Sequence, residues 1–231
     1  MITGCGCISE RESYFCYHQK KKNMYKQIFA FLLFLLSGCY GMAQGVIYAD
    51  NEQEHYRKVQ EWRQRKDSLY HIPGQTMLPD DLLKDFTGLN YYPIDYSYRV
   101  KGRLARYYDG RTVTVKTSGL RTVDYLIYGK VTFNLRGKEH SLDVYQSKRA
   151  AERGAKKGAL LILFYDETSG DTTYGGGRYL VLDVPEGDEL TLDFNMAYNP
   201  YCVYDPEHVC PLPPPQNSLA VRVEAGEKMY P

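Results

Sequence analysis

Val123–Tyr145 reads VDYLIYGKVTFNLRGKEHSLDVY, and this stretch decides the fold. The runs Val123–Tyr128, Lys130–Leu135 and His140–Tyr145 are rich in β-branched and aromatic residues, which suit a pleated, half-buried surface. Gly129 and Arg136-Gly137 punctuate them and read as turns. The same rhythm extends in both directions. Upstream, Arg99–Tyr107 and Arg111–Thr117 flank Tyr108-Asp109-Gly110, whose Asp-Gly pair is a hairpin signal. Downstream come Leu160–Tyr165, Arg178–Val184, Glu189–Asn195 and Leu219–Glu224, with Glu186-Gly187-Asp188 as a further turn. Close-spaced strands with short turns predict a mainly β fold, an antiparallel meander closed as a barrel or folded as a sandwich. Strands do not alternate with long helices, which disfavours a doubly wound sheet, and no internal repeat is visible.

Helix is expected only before the strands. Asn51–Tyr70 (NEQEHYRKVQEWRQRKDSLY) places Tyr56, Val59, Trp62 and Leu69 on one face, with Trp62, the single tryptophan, as the expected anchor in the core. Pro73, Gly74 and Pro79 break the helix, and Asp80 can cap a short turn through Leu82, Leu83 and Phe86. Lys148–Gly158 (KRAAERGAKKG) carries no strand signal and five cations, and reads as a solvated loop or a frayed helix.

Residues 1–43 read as an upstream extension and a signal peptide, leaving residues 44–231 as a single β-rich domain. Lys20–Lys26 precede an apolar run, Ile28–Leu36, that is too short to span a bilayer. Met24 is the favoured start, which sets aside Cys5, Cys7 and Cys16. Two cleavage sites compete. Leu36-Ser37-Gly38-Cys39 resembles the bacterial lipobox, with Cys39 as the lipidation candidate, whereas Gly41-Met42-Ala43 before Gln44 suits an ordinary signal peptidase. Without residues 1–38 the 29 Lys and Arg fall to 24 and the 28 Asp and Glu to 26, a net charge of −2. Without a basic stripe interleaved with aromatics, nucleic acid is not expected as a partner, and the expected membrane contact is only a lipid on Cys39.

Several ordered motifs carry a resemblance. They are Phe86-Thr87-Gly88-Leu89, Tyr92-Pro93-Ile94-Asp95 and Thr173-Tyr174-Gly175-Gly176-Gly177-Arg178, then Asp193-Phe194-Asn195 with Tyr198-Asn199-Pro200. Cys202, Cys210-Pro211-Leu212-Pro213-Pro214, Asn217 and Ala225-Gly226-Glu227-Lys228 complete the set. From about Trp62 to Lys228 the chain resembles domain of unknown function 1684, a bacterial family with no assigned activity. The resemblance therefore implies no reaction, cofactor or fold.

The residues themselves suggest a site. Three glycines before Arg178 permit positive φ and a close backbone approach to a neighbouring group, and a guanidinium at a strand start can hold an anion. The plainer alternative is a tight loop with Arg178 paired to a carboxylate such as Asp193 or Glu227. Asp193 and Asn195 would share a strand face, and with Asn199 they can line a polar pocket or cap the turns of the proline loop. The expected hairpin at Glu186-Gly187-Asp188 would bring Arg178 opposite Asn195–Asn199. The ligand-binding candidates are thus Tyr174, Arg178, Asp193, Asn195, Asn199 and Glu227.

Cys202 and Cys210 lie in NPYCVYDPEHVCPLPPPQN (Asn199–Asn217). In an exported chain they are most simply a disulfide, which would contribute about 2.6 kcal/mol through loop entropy. The alternative is a metal site of Cys202, His208 and Cys210, at a spacing unlike that of zinc knuckles. No catalytic motif is present. The expected function is export to the periplasm or outer membrane and binding of a small polar ligand. An enzyme using the same pocket, with Asp193 or Glu227 as acid or base, and a protein-interaction module are the alternatives.

Overall fold

The computed structural model describes residues 51–72, 76, 78–205 and 207–230. The leader, Met24, Cys39 and both cleavage sites lie outside the described residues. From His55 onward the chain is one compact unit, and of the other unit only residues 51–54 are described.

Helix α1 covers residues 51–70, followed by a single helical turn, α2 (Asp80–Leu83). Eight strands follow: β1 (Arg99–Arg106), β2 (Thr112–Lys116), β3 (Thr122–Leu135), β4 (Lys138–Ser147), β5 (Leu160–Asp166), β6 (Arg178–Leu182), β7 (Glu189–Asp193) and β8 (Ser218–Leu219). A short helix, α3 (Lys148–Glu152), links β4 to β5. The strand order is β6-β5-β4-β3-β1-β7, with β2 also on β3 and β8 on β5. The pairs are antiparallel except β5 with β8. The fold is mainly β, an antiparallel sheet curled into a half-barrel with a helix at its start.

Where the opening stretch was expected to turn at Gly129, the chain runs on. β3 is one fourteen-residue strand with a bulge between Ile127 and Gly129. The bulge shifts the side-chain phase. Before it, Tyr125 and Ile127 pack with Val115, Tyr145, Leu163 and Tyr179. After it, Val131, Phe133 and Leu135 point the other way, into the main core with Leu142, Ile162, Phe164 and Phe194. β4 and β5 feed both clusters, and β5 is buried on both faces, which is why its sequence is a nearly continuous apolar run.

Because β3 is long, it carries two partners on one edge. β1 pairs with its second half and β2 with its first, so the Asp109-Gly110 segment joins two collinear strands rather than closing a hairpin. Asp109 folds instead onto Arg111 in its own loop. The hairpin is β2–β3, closed by residues 117–121. The expected β6–β7 hairpin is also absent. β7 pairs with β1 and β6 with β5, so Glu186-Gly187-Asp188 connects opposite ends of the strand path. Of Leu219–Glu224 only Leu219 is strand, and the rest runs irregularly past Arg178.

The helix turns a different face inward from the one its apolar spacing suggested. Tyr56 and Leu69 are about half exposed and Trp62 is only partly buried, whereas Val59 (1%), Tyr70 (4%) and His55 (7%) are buried. With Arg63 and Lys66 they form a stripe at helical spacing that is polar by composition. Polar groups can face inward because acceptors wait for them. His55 Nε2 meets Asp193 Oδ2 at 2.6 Å, Arg63 donates to the carbonyls of Tyr92 and Asn195, and Lys66 pairs with Glu227.

Candidate functional site

Arg178 is the largest fully buried side chain, with 0% of its surface exposed. Its guanidinium donates to the carbonyls of Ala225, Glu227 (3.1 Å) and Val223 (2.8 Å), and to Asp166 Oδ1 at 3.2 Å. The carboxylate partner is therefore Asp166, and not Asp193 or Glu227. The reason is the strand order: β6 lies beside β5, whose last residue is Asp166. Asp166 in turn accepts from the Thr168 hydroxyl (2.7 Å) and from the Val223 N–H (2.8 Å). Burial lowers the Arg178 guanidinium from its ordinary range, and the Asp166 charge opposes that shift.

The glycine run before Arg178 has a local cause. At Gly177 (φ +83°) a Cβ would stand 2.5 Å from Pro213 Cγ and 2.7 Å from the Phe164 carbonyl oxygen. The group approached so closely is thus the chain's own proline loop. Tyr174 is partly buried, with its hydroxyl 3.7 Å from Cys202 Sγ, and desolvation pushes that phenol up to about 12.

The remaining candidates are drawn into the same interior. Glu227 is fully buried and takes Lys66 on Oε1, with the Asn199 N–H (2.7 Å) and the Tyr204 hydroxyl (2.9 Å) on Oε2. Burial lowers the Lys66 ammonium, and Glu227 pulls it back. Asn195 exchanges two hydrogen bonds with the backbone of Asp95, and Asp193 accepts from the Asn195 N–H and from His55. Arg178, Asn199 and Glu227 are thus brought together, as are Asp193 and Asn195. Most of their polar groups go to protein partners; among the described residues Arg178 Nε and Asn199 Oδ1 lack one, as does the nearby Tyr70 hydroxyl.

The proline loop lies over the outer face of β4–β6. Pro211 bridges to Thr117, Leu212 N–H donates to the Lys116 carbonyl, and the Tyr179 hydroxyl donates to the Pro211 carbonyl. Asn217, fully buried, acts as a substitute for a missing piece of ladder. β4 and β5 pair only at Tyr145–Leu161 and Gln146–Leu160, and the Asn217 amide bridges them further along. Its Oδ1 accepts from the Asp143 N–H (2.8 Å) and its Nδ2 donates to the carbonyls of Asp143 (3.0 Å) and Leu163 (2.8 Å).

Cys202 and Cys210 are adjacent free thiols, with the Cys202 N–H 3.3 Å from Cys210 Sγ. Desolvation raises the Cys210 thiol to about 11, which disfavours its thiolate form. His208 is directed to Asp205 (2.9 Å) and stacks near Tyr201. Among the described residues no three His, Cys, Asp or Glu side chains converge as a metal site.

One arrangement was not visible in the sequence. A cleft of about 500 Å³ opens along Leu82 and Asp85–Asn90, with Tyr230 on its wall. Asp67 of α1 packs against two of its wall residues, Gly88 and Leu89. Its Oδ1 accepts from the Leu89 N–H (3.3 Å) and the Tyr91 hydroxyl (3.2 Å), while Oδ2 lies 3.3 Å from where a Cβ on Gly88 would stand. Gly88, at φ +140°, keeps that oxygen uncovered. Burial raises the Asp67 carboxyl above its ordinary range despite both hydrogen bonds and the nearby Lys66 and Arg63. A second cleft, of about 550 Å³, lies where α1 meets β6 and β7, with His55, Trp62, Val181, Leu190 and Asp193 among its walls.

A half-barrel with a buried arginine hub and a helix docked by polar side chains defines the structural class. The chain belongs to the family described as "Protein of unknown function (DUF1684)", whose model matches residues 84–228. It is similar to an uncharacterised protein of Haloarcula marismortui solved by solution NMR. The two share 36% identity over 78% of this chain and 97% of that one, with a TM-score of 0.61. No curated protein matches.

Proposed function

We propose that the protein is exported to the bacterial envelope and binds a small polar ligand there, in the cleft walled by Asp85–Asn90 and Tyr230, next to Asp67. The observation that carries the binding reading is Asp67 Oδ2. It is a carboxylate oxygen beside Gly88, a wall residue of the cleft, and the hydrogen bonds that hold the carboxylate go to its other oxygen. Phe86 and Tyr230 beside it, with Asn90 at the rim, offer ring faces and an amide. That combination suits a hydroxyl- or amine-bearing ligand. The Gly-rich and proline-rich loops then serve the fold that presents the cleft. The second reading, an enzyme, is favoured by the raised Asp67 carboxyl, which is a group suited to proton transfer.

Backbone NMR of the purified chain, titrated with panels of free sugars, polyols, amino acids and amines, tests the binding reading. Shifts confined to Thr87–Asn90 and Tyr230, and abolished in Asp67→Asn, are expected. A panel that moves no cleft amide overturns it.

The basic and apolar runs of residues 20–36 support export, and Leu36–Cys39 supports a lipid on Cys39. Labelling cells with a fatty-acid analogue should tag the wild type and spare Cys39→Ser. An unlabelled wild-type protein with its amino terminus at Gln44 would replace the lipid with ordinary cleavage. In an oxidising envelope the adjacent thiols of Cys202 and Cys210 close as a disulfide.

A further inference from the structure

The strand ladders bring a basic segment and an apolar tip to one end of the sheet. β3 begins three residues beyond Tyr125, which pairs with Ser147, the residue before α3. The β2–β3 hairpin tip therefore projects about 10 Å past the start of α3, at roughly 3.3 Å per residue. At that tip Leu120 is fully exposed (106%), with Val123 (38%) and Val209 (39%) partly so. Val209 touches the tip directly: a Cβ on Gly119 would stand 3.1 Å from it.

Cations surround this apolar point. Lys116 and Arg121 flank the tip, and Lys148, Arg149 and Arg153 project from α3 and its end, all exposed. Lys148 lies 3.8 Å from Asp124, which fixes α3 beside the hairpin. Asp124 and Glu152 are the carboxylates set among these cations.

The geometry points to this end of the half-barrel as a docking surface for anionic phospholipid. A leucine at a convex tip has no concave partner of its own to fill. It suits a deformable surface into which it can insert, while the cations around it meet headgroup phosphates. Charge complementarity selects anionic over neutral lipid. The surface is independent of the Asp67 cleft and of any lipid on Cys39.

The test uses the chain carrying Cys39→Ser, purified as the exporting cell processes it, and sedimented with vesicles of phosphatidylcholine alone or with 30% phosphatidylglycerol (roughly one anionic lipid in three). Binding is expected only with phosphatidylglycerol, and it should weaken with added salt. Arg149→Gln with Arg153→Gln should reduce the partition coefficient about 25-fold, at roughly fivefold per cation. Leu120→Ser should lower what binding persists at high salt. These positions are exposed, so the variants should fold, and circular dichroism checks that they do. No binding at low salt, equal binding to neutral vesicles, or binding unchanged in the double arginine variant overturns the proposal. So does retention on heparin without vesicle binding, which would assign the patch to a soluble polyanion.

Discussion

Replacing Arg178 by methionine should nearly unfold the domain. The guanidinium holds four acceptors in a site without solvent: the carbonyls of Val223, Ala225 and Glu227, and Asp166. Methionine fills similar volume and satisfies none of them. Breaking a buried ion pair costs about 3–5 kcal/mol, and each stranded carbonyl adds about 1 kcal/mol or more where no water reaches it. A loss of about 6–8 kcal/mol is the expected outcome, against a total of roughly 5–15 for a domain. Arg178→Lys keeps the charge but offers at most three donors from one point, so it should lose about 2 kcal/mol, or roughly 4–8 °C in Tm. Urea unfolding followed by far-UV circular dichroism and by Trp62 fluorescence measures both. An Arg178→Met protein with the wild-type midpoint would refute the hub, because four buried acceptors cannot lose their donor without cost.

Asn217→Ala strands three backbone groups of β4 and β5 at once and should cost about 3–9 kcal/mol, at 1–3 for each buried group left unpaired; a loss under about 1 kcal/mol in the same urea assay would mean that the bridge is dispensable. Protein isolated from an oxidising compartment should resist alkylation at Cys202 and Cys210 until reduced, and reduction should lower stability by about 2.6 kcal/mol; two thiols that alkylate without reductant would refute the cross-link. Alkali should unfold the domain cooperatively. Burial raises the phenols of Tyr70, Tyr145, Tyr179, Tyr198 and Tyr204 above their ordinary range. The unfolded chain therefore releases protons first: stability is intact below about pH 10 and falls above it, by up to about 1.4 kcal/mol per tyrosine per pH unit. Tyrosinate absorbance and circular dichroism should change in one step, and gradual ionisation with the dichroism unchanged would contradict the burial.

The mainly β class was legible because Val123–Tyr145 combines strand-forming residues with an unambiguous Arg136-Gly137 turn, and the structure folds it as β3 and β4. Pairing was less so. Asp109-Gly110 has hairpin chemistry, but β3 is long enough to take both β1 and β2, and ladder length outweighed the local signal. The inward face of α1 was hidden for a similar reason. Hydrophobic periodicity looks for apolar stripes, whereas this helix docks through His55, Arg63 and Lys66, whose partners lie as far as 161 residues away. Asp166 escaped notice because nothing around it in the chain marks it. Its importance comes from β5 standing next to β6, which is a property of topology.

That same topology narrows where function can reside. A polar group can serve a ligand only with hydrogen-bonding capacity that the fold has not used. Arg178 has committed its terminal nitrogens, Glu227 both carboxylate oxygens, and Asn195 both ends of its amide. Asn199 Oδ1 and the Tyr70 hydroxyl have capacity but no surface, so an internal water is their natural partner. Asp67 differs from all of these. Its bonds converge on one oxygen, and its other oxygen lies beside a residue without a side chain that forms part of a cleft wall. Gly88→Ser separates the fold from the function at this point. A side chain there must compete with Oδ2 in a backbone region that favours glycine. Because Gly88 belongs to an irregular segment outside the sheet, the backbone strain of the change should cost about 1–3 kcal/mol, while removing any NMR shift that a ligand produces at Thr87–Asn90. A Gly88→Ser protein whose cleft amides still respond as in the wild type would place the binding oxygen elsewhere.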